Sequence, residues 1–266
     1  MNTISFISAN FVARQLDYNM TEGWMQGDTA TQAFFSPLET FQTRFGAMLL
    51  EVKNMGFQAI DLWGAHLNPK WASLEHLEIA RELLKTHGLS VPSLAAFCNT
   101  LEQVEGFCGV ANAVGASVIA GGAPILTEKR SEVIAILKHH NVKLALENHP
   151  EKTASEVLQL IGDGADGFVG TACDTGWWGT QGFSAPQAIR ELKDHLLAVH
   201  LKDIKAVGAH DTCKFGAGIV DIKACANTIL EIDYQGPIGI EHEPEDHDPT
   251  QDVLESRNLL ETWLSN

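Results

Sequence analysis

Short runs of apolar and β-branched residues alternate along the whole chain with longer segments whose apolar positions recur every three or four residues. That alternation predicts an α/β fold on a parallel sheet, because parallel strands need a crossover helix between them. Strands are predicted over residues 4–8, 59–62, 91–96, 117–120, 143–147, 167–173, 196–201 and 237–241. Several are apolar nearly throughout, as strands covered on both faces must be. Helices are predicted over 74–87, 101–114, 128–140, 154–161, 186–192, 222–232 and 251–264. Thr153, with Glu156 three positions on, reads as the start of a capping box, and Gly88 sits where a left-handed residue closes the helix before it.

Eight strands with intervening helices and no long linker predict a closed (β/α)8 TIM barrel, a single domain over residues 1–266. The 266 residues lie close to the roughly 250 of one complete barrel. A doubly wound open sheet is the alternative, but no G-x-G-x-x-G follows the first strand, and the "GGAP" at 121–124 is only a turn. The segment 10–39 breaks the rhythm. It is rich in turn residues yet carries Trp24, Phe34 and Phe35. The expectation is a long first βα loop, serving as an active-site lid or packing on the barrel rim.

Composition narrows the function classes. Hydrophobic residues make up 45% of the chain, enough for one sizeable core. The net charge of −16, from 34 acidic and 18 basic residues, repels phosphodiester backbones and anionic lipid, so neither nucleic acid nor a membrane is expected as partner. It mildly favours a neutral substrate over a highly phosphorylated one. Five cysteines without a C-x-x-C pair argue against a disulfide framework and a thiolate zinc site. Cys98, Cys173 and Cys225 read as small buried hydrophobes. The first eleven residues lack the basic start and apolar core of a signal peptide, and no apolar run approaches the ~20 residues of a membrane span. A cytoplasmic protein is expected.

The chemistry gathers where the last four strands end. The fifth delivers Glu147, Asn148 and His149, the sixth Asp174, the seventh His200, Lys202 and Asp203, and the eighth Glu241, His242 and Glu243. Barrel enzymes keep their sites at this C-terminal face. Singly, each residue has a plain structural reading: Asp174 as a helix N-cap, His200 between Val199 and Leu201 as a satisfied core histidine. Together, Glu147, Asp174, His200 and Glu241 form a mostly oxygen set with one imidazole. It suits Mn²⁺ best, or Mg²⁺, and tolerates Co²⁺ or Zn²⁺. A cation also accounts for three crowded carboxylates. No organic cofactor is expected. Such a centre supports removal of the proton next to a sugar carbonyl, through a metal-bound enediolate.

The chain resembles the sugar isomerase/epimerase-like TIM-barrel superfamily, xylose isomerase-like and related to endonuclease IV. The markers are "ALENHPEKT", "ACDTGWW", "VHLKD", "FGAGIVD" and "GIEHEPEDHDP". The resemblance covers nearly the whole chain, is strongest over 142–264, and implies one divalent metal on Glu147, Asp174, His200 and Glu241. It also implies that the two glutamates serve as acid and base on either side of the substrate. "AIDLWGAH" resembles the superfamily's second strand and carries His66 toward the same mouth. The endonuclease IV branch needs a histidine three residues after the sixth-strand aspartate; here Trp177 stands there, which argues against a nuclease.

Supporting residues complete the expectation. His149 and Lys202 are catalytic candidates, each two residues beyond a ligand and so on the same side of its strand. His66, Trp63, Trp177 and Lys214 are substrate-binding candidates, with Trp178 as further aromatic wall. A second metal near His210 and Asp211 is disfavoured, and His242, Glu243 and His247 read as solvated or supporting. The expected function is a metal-dependent isomerase or epimerase acting on a small carbohydrate, a keto- or aldo-sugar or related polyol. The alternatives are a dehydratase or lyase on a keto-polyol or 3-keto-glycoside, and a non-catalytic sugar-binding barrel. A homo-oligomer is compatible with the sequence, since barrels of this kind pair through helices or mouth loops.

Overall fold

A computed structural model describes residues 2–265. Eight strands form the barrel: β1 (Ile4–Ile7), β2 (Ile60–Trp63), β3 (Leu94–Ala95), β4 (Val118–Gly121), β5 (Lys143–Glu147), β6 (Val169–Asp174), β7 (Leu196–Ile204) and β8 (Ile238–Glu241). Neighbours pair in chain order, all parallel, and β8 pairs with both β7 and β1, so the sheet closes on itself. The expected (β/α)8 barrel is the observed fold.

Strand alternation divides the apolar residues into two populations. Phe6, Leu62, Ile119, Leu144, Val199 and Ile240 point outward into the main core between sheet and helices. The inward positions of the later strands are smaller: Val118, Ala120, Ala145, Ala172 and Ala198 form a separate cluster inside the barrel. Barrel interiors are commonly filled by bulky branched side chains. Here alanine dominates, and the residue two positions further along each strand is polar: Ala145 is followed by Glu147, Ala172 by Asp174, Ala198 by His200. Gly239 holds the same place beneath Glu241, where an added Cβ would lie 2.6 Å from the Ile7 side chain. The narrow floor leaves room for a charged layer above it.

Helices Leu74–His87, Leu101–Val114 and Ala154–Ile161 occupy the predicted spans. Their ends are written in local chemistry: Ser73, Thr100 and Thr153 accept from the backbone N–H three residues on, and Gly88 takes a φ of 61°. The Thr153 capping box does not close, because the Glu156 carboxylate accepts from Lys152 N–H instead. The expected helix over 128–140 is broken at Lys129 into a short turn and Arg130–His140.

The largest correction concerns residues 10–39, which do not form a long loop. Two 3-10 turns, Ser8–Phe11 and Arg14–Leu16, lead to a helix Trp24–Phe35 and the start of a second, Leu38–Asn54. The first helix buries only Gly27, Thr31 and Phe35 and has no side-chain cap, so its sequence carries little apolar stripe. Among the described residues no helix is long and apolar enough to cross a membrane.

Beyond the barrel wall, β7 continues into an antiparallel pairing with a two-residue strand, Thr212–Cys213. Buried Asp203 organises this extension by accepting from the N–H groups of Ile204, Gly216, Gly218 and Val220, at 2.9–3.0 Å. Removing it strands several buried donors, each costing about 1–3 kcal/mol. Asp203→Ala is therefore expected to destabilise the fold by about 3 kcal/mol or more, read as a lower urea midpoint with unchanged slope. A loss within about 0.5 kcal/mol would show that water satisfies these donors as well as the carboxylate does.

Candidate metal centre at the barrel mouth

The charged layer above the alanines centres on His200, which is 2% exposed. Its Nδ1 lies 3.3 Å from Glu241 Oε2 and 3.5 Å from Glu147 Oε1. One ligand-type atom each from Glu147, His200 and Glu241 lies within 4.8 Å of the others. Asp174 pairs in register with His200 across β6 and β7 and joins the group through Lys202. The Lys202 ammonium is 2.5 Å from Glu241 Oε1, 3.0 Å from Asp174 Oδ2 and 3.2 Å from Glu243 Oε2.

Local structure fixes these positions. Asp174 is at once the N-cap of the helix Thr175–Thr180, Oδ1 accepting from Gly176 and Trp177 N–H, and a member of the cluster through Oδ2. Asn148 ties the end of β5 to that of β6, accepting from Asp174 N–H at 2.7 Å and donating to Asp174 C=O at 2.9 Å. Thr175 does the same between β6 and β7, exchanging two 2.8 Å hydrogen bonds with the Lys202 backbone. The Lys202 stem crosses Gly176 so closely that a Cβ there would lie 2.5 Å from its Cδ.

Burial and charge oppose each other throughout. Burial pushes Asp174 up to about 7 against the pull of Lys202. Burial would also raise Glu241, but Lys202 and His200 overcome it and hold that carboxyl at about 2. Burial raises Glu243 to about 8. Lys202 and His200 are held well above their ordinary values, because the surrounding carboxylates outweigh their own desolvation. Asp174 Oδ2, both His200 ring nitrogens and Glu241 Oε2 are buried without a hydrogen bond. Buried polar atoms rarely go unbonded. Two of the three carboxylates and the imidazole thus carry buried atoms without a hydrogen bond, and the donor set of Glu147, Asp174, His200 and Glu241 fits a divalent cation.

Two contributors went unread in the sequence. Asp61, on β2 and 1% exposed, places Oδ2 3.3 Å from His200 Nε2 and accepts from the Ser93 hydroxyl. It thus sits behind the imidazole, opposite the glutamates. An acidic residue inside a strand of otherwise apolar residues, "AIDLW", was its signal. Trp24, from the segment expected to be a loop, donates to Glu243 Oε1 at 3.1 Å and lies with its ring 5.0 Å from that of Trp63.

The supporting candidates divide. Lys202 stands in the cluster as expected, because β7 runs straight through it. His149 does not follow strand alternation: β5 ends at Glu147, the His149 N–H turns back to Glu147 C=O, and the ring stacks on Trp177 at 3.8 Å. Trp177 contacts His210 at 5.0 Å and faces Lys202 Nζ at 5.5 Å. His66 is buried among Ser8, Phe35 and Trp63, and burial lowers it to about 3. That places it among core side chains. Lys214 pairs with Glu255 on the last helix at 2.6 Å. Trp178 is fully buried with its N–H on Cys173 Sγ, and so is core, not wall.

Comparison with known proteins bears on this geometry. A stretch of 72 residues is 38% identical to L-ribulose-5-phosphate 3-epimerase UlaE of Escherichia coli, covering 27% of this chain and 25% of that protein. The match thus spans about a quarter of the relative's length. Among solved structures, L-ribulose 3-epimerase superposes with a TM-score of 0.74 at 15% identity, over 100% of this chain and 95% of that one. An IolI protein with a bound zinc atom gives 0.71 at 16% identity, over 99% and 98%. A xylose isomerase domain protein from Planctomyces limnophilus gives 0.69 at 20% identity, over 81% and 91%. The family model for the xylose isomerase-like TIM barrel matches residues 49–263, and with the closed barrel and its mouth cluster in view the chain belongs to that family.

Proposed function

We propose that this chain, acting as one domain, is a divalent-metal-dependent sugar isomerase or epimerase. The observation that carries the reading is the convergence of Glu147, His200 and Glu241 on one point beside Asp174, with buried donor atoms left unbonded. The names of the epimerases similar to this chain in sequence and in fold support it.

Glu147, Asp174, His200 and Glu241 would hold the ion. An oxygen-rich set with one imidazole suits Mn²⁺ and admits Mg²⁺, Co²⁺ or Zn²⁺. When bound it supplies Lewis-acid polarisation of the substrate carbonyl, which lowers the cost of removing the neighbouring proton. The chain's own groups then divide the proton work. Glu147, the less buried of the two glutamates, takes a proton from the face it borders. Glu241, kept ionised by Lys202 and His200, serves the other face from β8, three strands away around the ring. Lys202 steadies Glu241 and offers N–H donors to a substrate oxygen. Aromatic groups on opposite rims, Trp63 with Trp24 at β2 and Trp177 with His149 after β6, enclose the apolar faces of a sugar and exclude water.

Two outcomes are expected. After incubation with Mn²⁺ and gel filtration, the protein holds about one equivalent, whereas Glu147→Gln/His200→Ala holds none and exchanges no substrate proton in D₂O. Absence of metal from both proteins would overturn the reading. Separately, Lys202→Met lowers proton exchange by about 10²–10⁴-fold but leaves Mn²⁺ affinity undiminished, since removing a cation relieves repulsion of the ion. A variant that loses Mn²⁺ in step with activity would instead make Lys202 a support of the ligands.

A further inference from the structure

A second group of ligand-type atoms lies outside the central cluster. His242 follows Glu241 at the end of β8, His247 lies on the loop beyond, and Asp252 is in the first turn of the helix Thr250–Leu264. One ligand atom of each lies within 4.8 Å of the others. His242 Nε2 and His247 Nε2 stand 3.2 and 3.4 Å from the same oxygen, Asp252 Oδ2.

The other nitrogen of each ring is engaged more tightly. His242 Nδ1 meets Thr212 Oγ1 at 2.8 Å, and His247 Nδ1 meets Asp246 Oδ1 at 2.6 Å. Both imidazoles are thus oriented from behind by an oxygen and present Nε2 to a shared carboxylate. Metal-binding histidines are held in this way, the outer partner fixing tautomer and ring direction. Charge-assisted hydrogen bonds fall near 2.7–2.9 Å, and the Nδ1 contacts lie in or below that range. The His242 Nε2 contact is a long hydrogen bond to Asp252 at 3.2 Å, and the His247 Nε2 contact at 3.4 Å makes none. Separations of 3.2 and 3.4 Å match instead the edge of a tetrahedron around zinc, about 3.3 Å for bonds of about 2.0–2.1 Å.

From this geometry we infer a second divalent-cation site on His242 Nε2, His247 Nε2 and Asp252 Oδ2, with solvent in the fourth position beside half-exposed His247. Two imidazoles and one carboxylate favour Zn²⁺ or Co²⁺ over the harder ions that suit the oxygen-rich centre. The ion would staple the end of β8, the following loop and the last helix. That loop carries Glu243 to Lys202 and Asp248 to the Tyr18 hydroxyl, so the staple would brace one wall of the mouth. The site stands independently of the proposed activity.

Equilibrium dialysis against Zn²⁺ tests it, with metal counted in the intact protein, His247→Ala, Asp252→Asn, Glu147→Gln/His200→Ala and the triple variant that adds His247→Ala to that pair. Circular dichroism checks that each is folded. The expected result is one equivalent bound by the pair variant and lost in the triple variant, with His247→Ala and Asp252→Asn each weakening that equivalent at least tenfold. Co²⁺ in the pair variant is expected to give the strong visible bands of a four-coordinate ion. Zinc stoichiometry and affinity unchanged by His247→Ala, even with a lowered melting temperature, would overturn the site and leave a hydrogen-bond network. If His247→Ala removes one equivalent while the pair variant binds as much as the intact protein, this site stands and the central one fails.

Discussion

The structure turns on the cost of burying charge inside the barrel. Among the described residues, Asp61, Glu147, Asp174, Glu241 and Glu243 surround two cationic side chains, His200 and Lys202. Taking such groups out of water is expensive unless each is paired with good geometry. Lys202 meets part of that demand by touching three carboxylates at once. His200 meets another part by standing between Asp61 and the two glutamates. The remaining negative charge, together with buried atoms that make no hydrogen bond, is the feature on which the proposed metal site rests.

The surrounding structure is arranged so that this cluster can exist. An alanine floor replaces the usual bulky interior, which lifts the charged layer to the mouth and keeps space between its members. Reciprocal side-chain-to-backbone pairs at Asn148 and Thr175 lock the ends of β5, β6 and β7 to one another. Gly176 has no Cβ because the stem of Lys202 occupies that volume. Each device spends local freedom on placing one charged atom, which is how a site gains definition from a rigid scaffold.

The mouth above the cluster is assembled from segments far apart in sequence. Trp24 bridges from the first βα segment to Glu243 after β8, and Tyr18 reaches Asp248 in the same loop. The helix Trp24–Phe35 is thus tied to the last loop by the Trp24–Glu243 hydrogen bond, and the turn before it by Tyr18. Under the proposed function, substrate selection would lie in such loops, because one barrel fold serves many activities.

By itself the sequence determined the barrel and most of its strands, since the period of apolar residues and the caps at Thr153 and Gly88 are local signals. It also determined which four strand ends carry ligand-type side chains. Alternation along a straight strand carried the pairing of His200 with Lys202, and failed at His149 because β5 stops two residues earlier and the chain turns. Only the tertiary structure decided that Asp61 backs His200, that Trp24 reaches the mouth, that His66 and Trp178 are core, and that Lys214 faces Glu255. It alone set His242, His247 and Asp252 around one point. The physical reason is the same in each case: these relations join residues through space across strands or loops, and nothing in the local pattern of either partner encodes the distance to the other.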